Sequence, residues 1–355
     1  MKLVTFAVKT PLGDFYRLGA LVGAQLDRII DLNTAYTWLL NEQKEAQPEK
    51  LADVLCPADM RGFIEMGPRA LEAGHDVLEA FAKHGFEAIT YSQRQCIFAS
   101  SAASLTCPLP NPNSLRDFLA FEVHTKSGFD RRKEPMPEAW YKIPVYYKGN
   151  HRGLIGPEEP VLWPHFTRKL DYELELACIV GKESRNLPIE EAQQAIFGYT
   201  ILNDISARDI QAEEMRCRLG PAKAKDFGSV IGPWIVTADE IPDPRNLTMT
   251  ARVNGEVWSQ GNSGTSHWTF EQMLSHVSMD ETLYPSDILG SGTVGNGCGL
   301  ELDRWIQPGD VIELEISGLG VLRNTIGSPH QAEHHNSPWQ EFIHQKLASK
   351  TSPGK

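Results

Sequence analysis

The stretch LDYELELACIVG, residues 170–181, predicts a buried β-strand that carries two carboxylates. Glu173 and Glu175 lie two positions apart, and side chains with this spacing on a strand share one face, about 7 Å from each other. Two like charges on an enclosed face are costly unless a cation lies between them. The stretch therefore indicates either a metal site or a solvated acidic face.

The stretch VIELEIS, residues 311–317, has the same alternation, with Glu313 and Glu315 in the corresponding positions. The pattern alone thus cannot decide which strand holds a cation. The segment ILNDISARDIQ, residues 201–211, favours the first strand, because an apolar run ends there at Asp204. This carboxylate at a strand end is expected to lie next to a helix start that could hold a substrate oxyanion.

Directly after Asp204, the residues predict the start of a helix. Ser206 is expected to be the N-cap, with Asp209 in the capping-box position. Arg208 and Gln211 are three residues apart on one side of the first turn, where the helix N-terminus favours anions. This arrangement suits a substrate oxyanion, although a capped helix with a solvated arginine fits the same pattern.

The segment SLRDFLAFEVH, residues 114–124, predicts a second capped helix. Ser114 is the expected N-cap, and Asp117 takes the capping-box position. Asp117 and His124 are seven residues apart, which is two turns on one helical face. The simpler alternatives are that Asp117 only caps the helix and that His124 is a surface histidine.

Charge and composition exclude several classes of function. The chain of 355 residues has a formal net charge of −12 and no basic block, which argues against a nucleic-acid partner. It contains no apolar run of membrane-spanning length, and the charged residues near its start argue against a signal peptide. The six cysteines are scattered without a CxxC pair, as is typical of the reducing cytosol, so a cytoplasmic location is expected.

Three regions of different character follow one another along the chain. Residues 1–106 mix short strands with helices expected at 35–45 and 71–85, and the Pro/Asn-rich segment at 107–114 suggests a boundary. Residues 107–327 are strand-rich, interrupted by the expected helices IEEAQQAIFGYT and TFEQMLSHVS. Residues 328–355 are expected to form a polar arm, in which a metal site at His330, His334 and His335 is disfavoured.

The chain resembles the fumarylacetoacetate hydrolase (FAH) family over roughly residues 105–327. The resemblance rests on DYELELACIVG, NDISARDIQ, KDFGSVIGPWIV, and LGSGTVGNG followed by PGDVIELEISGLGVLRN. The segment GALVGAQLDRIIDLNTA resembles the small leading domain of bacterial members. The resemblance implies a mixed α/β, β-rich fold: an FAH-type β-roll catalytic domain after a smaller N-terminal α+β domain, assembled as a homodimer.

The resemblance also implies a metal centre, with Mg²⁺ as the usual ion and Mn²⁺ or Ca²⁺ as alternatives. The positions that match the family's four ligands are Asp117, Glu173, Glu175 and Asp204. Lys225 matches a lysine beside the metal, and Ser229 stands where some members have a threonine. Glu313 and Glu315 fall on the family's closing strand, which carries no ligands.

The remaining site positions follow from the same resemblance. His124 and Glu301 match the pair that activates water in the fumarylacetoacetate-cleaving branch. Residues that match groups binding the substrate or stabilising its developing charge are Arg208, Gln211, Lys225, Tyr147 and Thr293. Leu119, Met215 and Arg216 depart from the pattern, and the substrate arginine is Arg131, Arg132 or neither, so the substrate stays open.

The implied activity is hydrolysis of a C–C bond in a 2,4-dioxo acid of the fumarylacetoacetate or acylpyruvate type. Water activated by the His/Glu pair would attack, and the electrons would pass into a metal-stabilised enolate. The same centre supports the alternatives of a decarboxylase or isomerase, or of a hydratase or dehydratase, acting on a 2-oxo acid. A non-catalytic binding protein is disfavoured because the four carboxylates and the lysine occur together.

Overall fold

The computed structural model describes residues 1–86 and 88–329, so that His330, His334 and His335 lie outside the described residues. The fold is mixed α/β and rich in strands, which confirms the predicted class. No helix among the described residues combines the length and apolar character that crossing a membrane requires.

Among the described residues, four α-helices precede residue 107 and four follow it. The α-helices are α1 Leu32–Glu42, α2 Pro48–Leu55, α3 Met60–Met66, α4 Pro68–Lys83, α5 Glu122–Arg132, α6 Arg208–Arg216, α7 Phe270–Val277 and α8 Gly299–Leu302. Short 3₁₀ helices span Ser100–Ala102, Glu138–Tyr141, Ile189–Ala195, Ala238–Glu240 and Ser263–Thr265.

Strands make up most of the rest. They are β1 Lys2–Thr10, β2 Gly13–Val22, β3 Arg28–Asp31, β4 Thr90–Tyr91, β5 Arg94–Gln95, β6 Ile97–Ala99, β7 Ser104–Leu105, β8 Leu115–Phe118, β9 Tyr146–Gly149, β10 Val161–Trp163 and β11 Leu170–Asp171. The later strands are β12 Leu174–Val180, β13 Ser184–Arg185, β14 Ile196–Asp204, β15 Ser206–Ala207, β16 Ser229–Thr237, β17 Thr248–Val253, β18 Glu256–Asn262, β19 Thr282–Leu283, β20 Ile288–Gly290, β21 Val311–Ile316 and β22 Gly320–Pro329.

The largest sheet of the described residues has the order β6-β3-β2-β1-β16-β14-β12-β20-β8-β9, with β7 also paired to β1. A second sheet has the order β10-β22-β21-β17-β18. The pairing of β1 with β16 joins strands from before and after the predicted boundary at 107–114 into one sheet. The division into domains remains a prediction.

Strand β12 is buried on both faces, and its side chains alternate between two cores. Leu174, Leu176 and Cys178 pack in the core shared with the second sheet and α7. Ala177 and Ile179 pack in the core formed with helices α1 to α4. This alternation matches the period of two predicted from the sequence. It places both glutamates at the start of a strand that has no solvent-exposed face.

The prediction that a helix begins at Ser114 is wrong. Residues 115–118 form strand β8, and the helix begins only at Glu122, so Asp117 and His124 lie on different elements. The hydroxyl of Ser114 donates to Asp287 Oδ1 at 2.5 Å instead of capping a helix. Pairing of β8 with β20 and β9 outweighs the local capping signal.

The cap predicted at Ser206 is also wrong. Ser206 lies in the short strand β15, and its hydroxyl donates to the carbonyl of Asp204 at 2.9 Å. Asp209 accepts hydrogen bonds from the Thr167 hydroxyl, the Arg168 amide and the adjacent Ile210 amide in α6, rather than from the Ser206 amide as a capping box requires. The helix itself is present as α6, because pairing of β15 with β11 sets the direction in which the chain enters it.

The other helix predictions have mixed outcomes. The helices expected at 35–45, 71–85 and in TFEQMLSHVS are confirmed as α1, α4 and α7, the last with a capping box between Thr269 and Gln272. The segment IEEAQQAIFGYT forms only the 3₁₀ helix Ile189–Ala195, and its remainder belongs to β14. The apolar run there is fully buried in the central sheet, which favours a strand.

Candidate active site

Three of the predicted ligand carboxylates converge at the centre of the large sheet. Asp117 comes from β8, Glu175 from β12 and Asp204 from the end of β14. One carboxylate oxygen from each lies within 4.8 Å of the others, and all three residues are buried. Residues separated by up to 87 positions therefore form one compact anionic cluster, which we call the carboxylate cluster.

Gly290 makes this convergence possible. It lies on β20 between the strands that carry Asp117 and Glu175, opposite Asp117 on one side and Ala177 on the other. A Cβ atom at this position would lie 2.3 Å from Asp117 Oδ1. The same oxygen accepts a hydrogen bond from the Gly292 amide at 3.1 Å. The sequence analysis did not single out Gly290, although this glycine falls within the motif LGSGTVGNG.

The electrostatics of the carboxylate cluster favour a cation. Burial raises the pKa of Asp117 and of Glu175 well above the usual range, and the neighbouring carboxylates raise both further. Burial also raises the pKa of Asp204, although Lys225 opposes this effect. Glu175 Oε2 is buried without a hydrogen-bond partner among the described residues. An all-oxygen cluster with an unsatisfied carboxylate oxygen fits a hard divalent ion such as Mg²⁺ or Mn²⁺.

Glu173 is buried beside the carboxylate cluster but has different partners. Arg208 Nη2 lies 2.8 Å from Glu173 Oε1, and Lys225 Nζ binds Oε2. Burial would raise the pKa of Glu173, but the charges of Lys225 and Arg208 outweigh it and lower the pKa well below the usual range. The glutamate is therefore ionised, and its role as a fourth metal ligand stays a prediction.

Lys225 and two hydroxyl groups surround Asp204. Lys225 Nζ contacts both Asp204 and Glu173, and these carboxylates raise the lysine pKa although burial alone would lower it. Tyr147 donates to Asp204 Oδ2 at 2.8 Å, and Ser229 donates to Oδ1 at 3.3 Å. Each position predicted near the metal thus touches a predicted ligand.

His124 and Glu301 form a hydrogen-bonded pair at the edge of the same site. His124 Nδ1 lies 2.9 Å from Glu301 Oε2, and its Nε2 lies 3.8 Å from Glu173 Oε1. The other oxygen of Glu301 accepts the Asn296 amide at 3.1 Å. Burial tends to raise the pKa of Glu301, but the hydrogen bond and charge of His124 lower it. The imidazole is therefore fixed with Nε2 facing the carboxylates.

Comparison with known proteins places this site in a family. The profile described as "Fumarylacetoacetate (FAA) hydrolase C-terminal" matches residues 114–327, which include the carboxylate cluster and the His124–Glu301 pair. The chain belongs to the fumarylacetoacetate hydrolase family. Solved structures with a similar fold include a maleylpyruvate hydrolase and a 5-carboxymethyl-2-hydroxymuconate delta-isomerase.

The chain is similar to proteins with different reactions. It is 30% identical over 275 residues to "Oxaloacetate tautomerase fahd2, mitochondrial" of Xenopus laevis, covering 77% of this chain and 80% of the relative. It is 25% identical to maleylpyruvate hydrolase from Sphingobium sp. SYK-6, solved in complex with manganese(II) and pyruvate, with a TM-score of 0.64 over 93% of this chain and 100% of the other. Fumarylacetoacetate hydrolase from Exiguobacterium antarcticum, 24% identical with a TM-score of 0.64 over 92% and 99% of the two chains, shares the fold.

Asp171 is a residue of this FAH-family site that the sequence analysis missed. Its carboxylate accepts Arg208 Nε at 2.8 Å and the amides of Gly299 and Leu300 at 2.8 and 3.0 Å. It thereby ties Arg208 to the first turn of α8, the helix that carries Glu301. Its spacing offered a signal, because Asp171 lies two residues before Glu173 in the same alternation.

The predicted substrate contacts lie close to the cluster. Arg208 Nη1 donates to Gln211 Oε1 at 3.0 Å, which confirms that the two side chains share one side of α6. Thr293 donates its hydroxyl to Glu175 Oε1 at 3.1 Å. Their contacts with a substrate stay predictions.

The departures from the FAH pattern lie nearer the surface. Leu119, Met215 and Arg216 are all exposed, and Arg132 stacks on the Phe129 ring at the C-terminal end of α5. Neither Arg131 nor Arg132 contacts the carboxylate cluster among the side-chain hydrogen bonds and ion pairs of the described residues. The choice of substrate arginine thus stays open.

Proposed function

We propose that the protein is a metal-dependent hydrolase that cleaves a C–C bond in a 2,4-dioxo acid of the fumarylacetoacetate or acylpyruvate type. The observation that carries this proposal is the 2.9 Å contact between His124 Nδ1 and Glu301 Oε2, with Nε2 turned toward the carboxylates. A histidine held in this way has the geometry of a general base for water. The similarity to a maleylpyruvate hydrolase supports the same reaction class.

The metal-binding part of the proposal rests on the carboxylate cluster. Asp117, Glu175 and Asp204 would hold Mg²⁺, or Mn²⁺ or Ca²⁺ in its place, with Glu173 as the expected fourth ligand. Bound there, the ion supplies Lewis-acid polarisation of the substrate's oxo group. Manganese in the similar hydrolase supports a divalent ion in this role.

The protein's own residues then manage protons and charge. His124, oriented by Glu301, takes a proton from water at Nε2, and the water oxygen attacks the carbonyl carbon farther from the carboxylate end. The C–C bond breaks, and its electrons pass to an enolate that collects the proton. Lys225 and Arg208, both buried and cationic, offset the developing negative charge, with Gln211 aligned by Arg208. The products are a carboxylic acid and a pyruvate-like or acetoacetate-like fragment.

Interconversion of the keto and enol forms of a 2-oxo acid is the second candidate function. The 30% identity to a protein named oxaloacetate tautomerase favours it. Tautomerisation moves a proton between carbon and oxygen without attack by water, and His124 could move that proton from the same position. Decarboxylase and hydratase or dehydratase activity need the same carboxylates and remain weaker alternatives.

The test is a panel of acylpyruvates, diene diacids and oxaloacetate, assayed with Mg²⁺ and again after chelation, in water enriched in ¹⁸O. The hydrolase proposal predicts loss of the substrate's ultraviolet absorbance and one ¹⁸O atom in the carboxylic acid product. Conversion between keto and enol forms without cleavage would contradict the hydrolase proposal and show that the protein is a tautomerase. Release of carbon dioxide would replace it with a decarboxylase.

A homodimer and a cytoplasmic location are part of the same proposal. Both are supported by the sequence, through the family resemblance for the dimer and the six scattered cysteines for the compartment. Light scattering coupled to size-exclusion chromatography checks the assembly. A monomeric mass at micromolar concentration would contradict it.

A further inference from the structure

A buried thiol lies against the His124–Glu301 pair, and neither the sequence analysis nor the proposed reaction uses it. Cys298 Sγ lies 3.3 Å from Glu301 Oε2 and 4.0 Å from His124 Nδ1. The third side of this triangle is the 2.9 Å contact between His124 and Glu301. Sulfur, nitrogen and oxygen donors from two helical segments and the loop between β20 and α8 thus meet at one point. The His124 side chain remains 14% exposed, so solvent reaches the edge of the triangle.

The dimensions of this triangle match one face of a tetrahedral zinc site. Zinc binds nitrogen and carboxylate oxygen at about 2.0–2.2 Å and thiolate sulfur at about 2.3 Å, which places tetrahedral donors roughly 3.3–3.6 Å apart. The observed separations of 2.9, 3.3 and 4.0 Å bracket that range. Shifts of about half an ångström would bring all three donors onto an ion, with water in the fourth position.

The donor set differs in kind from that of the carboxylate cluster. Thiolate and imidazole are ligands for soft or borderline ions such as Zn²⁺ and Cd²⁺, whereas Asp117, Glu175 and Asp204 offer only hard oxygen atoms. Burial raises the pKa of the Cys298 thiol, and the negative charges of Asp171, Glu173 and Glu301 raise it further, while Arg208 opposes them. A divalent ion that displaces the thiol proton would relieve this crowding of acidic groups.

We propose that Cys298, His124 and Glu301 form a second, soft-metal site, and that Zn²⁺ or Cd²⁺ bound there stops catalysis. Binding releases the thiol proton to solvent and forms a bond from the ion to His124 Nδ1. The ring proton then moves from Nδ1 to Nε2, so Nε2 has no free electron pair with which to take a proton from water. Binding of the ion is independent of the proposed function, whereas the inhibition rests on it.

The binding test uses the full chain in saturating Mg²⁺, which occupies the hard site, titrated with Cd²⁺. The readout is the ultraviolet charge-transfer band of a cadmium thiolate. One equivalent of Cd²⁺ should generate the band in the native protein and in the control Cys217→Ser, which lacks the exposed thiol. Cys298→Ser should show no band, and His124→Gln should show it with affinity reduced at least about tenfold.

Cys298→Ser is close in size to the native residue, and a retained Mg²⁺-dependent rise in melting temperature verifies its fold. A band that persists in this folded variant, or no band in the native protein at micromolar Cd²⁺, overturns the site.

The inhibition test uses whichever substrate of the panel the protein turns over. Zn²⁺ should inhibit the Mg²⁺-loaded enzyme, and Cys298→Ser should raise the inhibitory zinc concentration at least about tenfold. Equal inhibition of native protein and variant would refute the switch. If the cadmium band forms as expected but no substrate is hydrolysed, the soft-metal site stands and the hydrolase proposal fails.

Discussion

Gly290 and Asp117 lie opposite each other on adjacent parallel strands, and the missing side chain of Gly290 lets the Asp117 carboxylate reach the carboxylate cluster. The two residues are 173 positions apart in the chain. A glycine at the end of a short buried strand therefore leaves the space that the Asp117 carboxylate occupies. Gly290 contributes only room for a neighbouring side chain, and no functional group in the sequence indicates such a role.

Substitution Gly290→Ala should destabilise the protein moderately and largely abolish its binding of Mg²⁺. The new methyl group would lie 2.3 Å from Asp117 Oδ1 and 2.6 Å from Leu202 Cδ2, so the carboxylate must move. Overpacking of this kind costs about 1–3 kcal/mol. We expect a lower melting temperature and loss of most of the further rise that Mg²⁺ produces in the native protein.

The matched control is Gly128→Ala, in helix α5, where an added Cβ has no neighbour closer than 3.6 Å. This variant should keep the full Mg²⁺ response. A Gly290→Ala protein that binds Mg²⁺ as tightly as the native one would show that Asp117 is not a ligand.

Substitution Glu175→Gln should weaken Mg²⁺ binding by at least about 10–100-fold, the loss caused by removal of even an outer-shell partner. The amide removes a buried charge that faces two other carboxylates, so the metal-free protein should be no less stable than the native one. Isothermal titration with Mg²⁺ and Mn²⁺ measures the first effect, and denaturant unfolding in a chelator measures the second.

Glu313→Gln makes the same chemical change on β21, in the strand whose sequence pattern matches β12. Glu313 is partly exposed there and lies 3.8 Å from Arg323. The affinity of the Glu313→Gln variant for Mg²⁺ should equal that of the native protein. Equal losses in both variants would mean that the ion does not bind at the carboxylate cluster.

His124→Gln and Glu301→Gln should each reduce the rate of cleavage by about 10²–10⁴-fold while Mg²⁺ binding persists. The two residues act as one unit through the 2.9 Å contact, so the double variant should be little slower than either single variant. Single-turnover rates at saturating substrate test this. Full rates in either single variant would rule out water activation by this pair.

Much of the site follows from the sequence, and the exceptions share a physical cause. The alternation around Glu173 and Glu175 predicts their common face because period two is a local property of a strand. The local capping signal of Ser114 and Asp117 predicts a helix at Asp117, where the structure has strand β8. The competing influence is pairing of β8 with β20, whose residues are more than 170 positions away.

The same reasoning covers the residues that the sequence did not reveal. Asp171, Gly290 and Cys298 acquire their roles only from neighbours brought together by the sheet and by α8. Asp171 alone shows a local signal, its place two residues before Glu173, but that spacing does not reveal its contacts with Arg208 and α8. Family resemblance supplied His124 and Glu301, whose contact spans 177 positions and which no local pattern joins.

Substitution Asp171→Asn should reduce catalysis through Arg208 and Glu301 rather than through the metal. The amide keeps one oxygen acceptor but withdraws the charge that pairs with buried Arg208, a loss of about 1–3 kcal/mol in stability. We expect kcat to fall at least about tenfold with unchanged Mg²⁺ affinity.

Asp310→Asn is the control, because Asp310 also accepts a backbone amide, that of Gln307 at 2.7 Å, but in a loop before β21. It should lose some stability and keep kcat. If Asp171→Asn behaves in the same way, Asp171 supports the fold and does not position the catalytic groups.

The hydrogen bonds between β1 and β16 determine which part of the chain is needed to express the candidate active site as a separate fragment. Strand β16 begins at Ser229, next to Asp204, and its apolar residue Ile235 packs in the core shared with helices α1 to α4. A fragment starting at residue 107 would lack β1, so the edge of β16 would be unpaired and the apolar surface around Ile235 would be exposed to solvent. Unpaired strand edges and exposed apolar surfaces both promote aggregation. We therefore expect that a fragment which folds and binds the metal must include the first hundred residues.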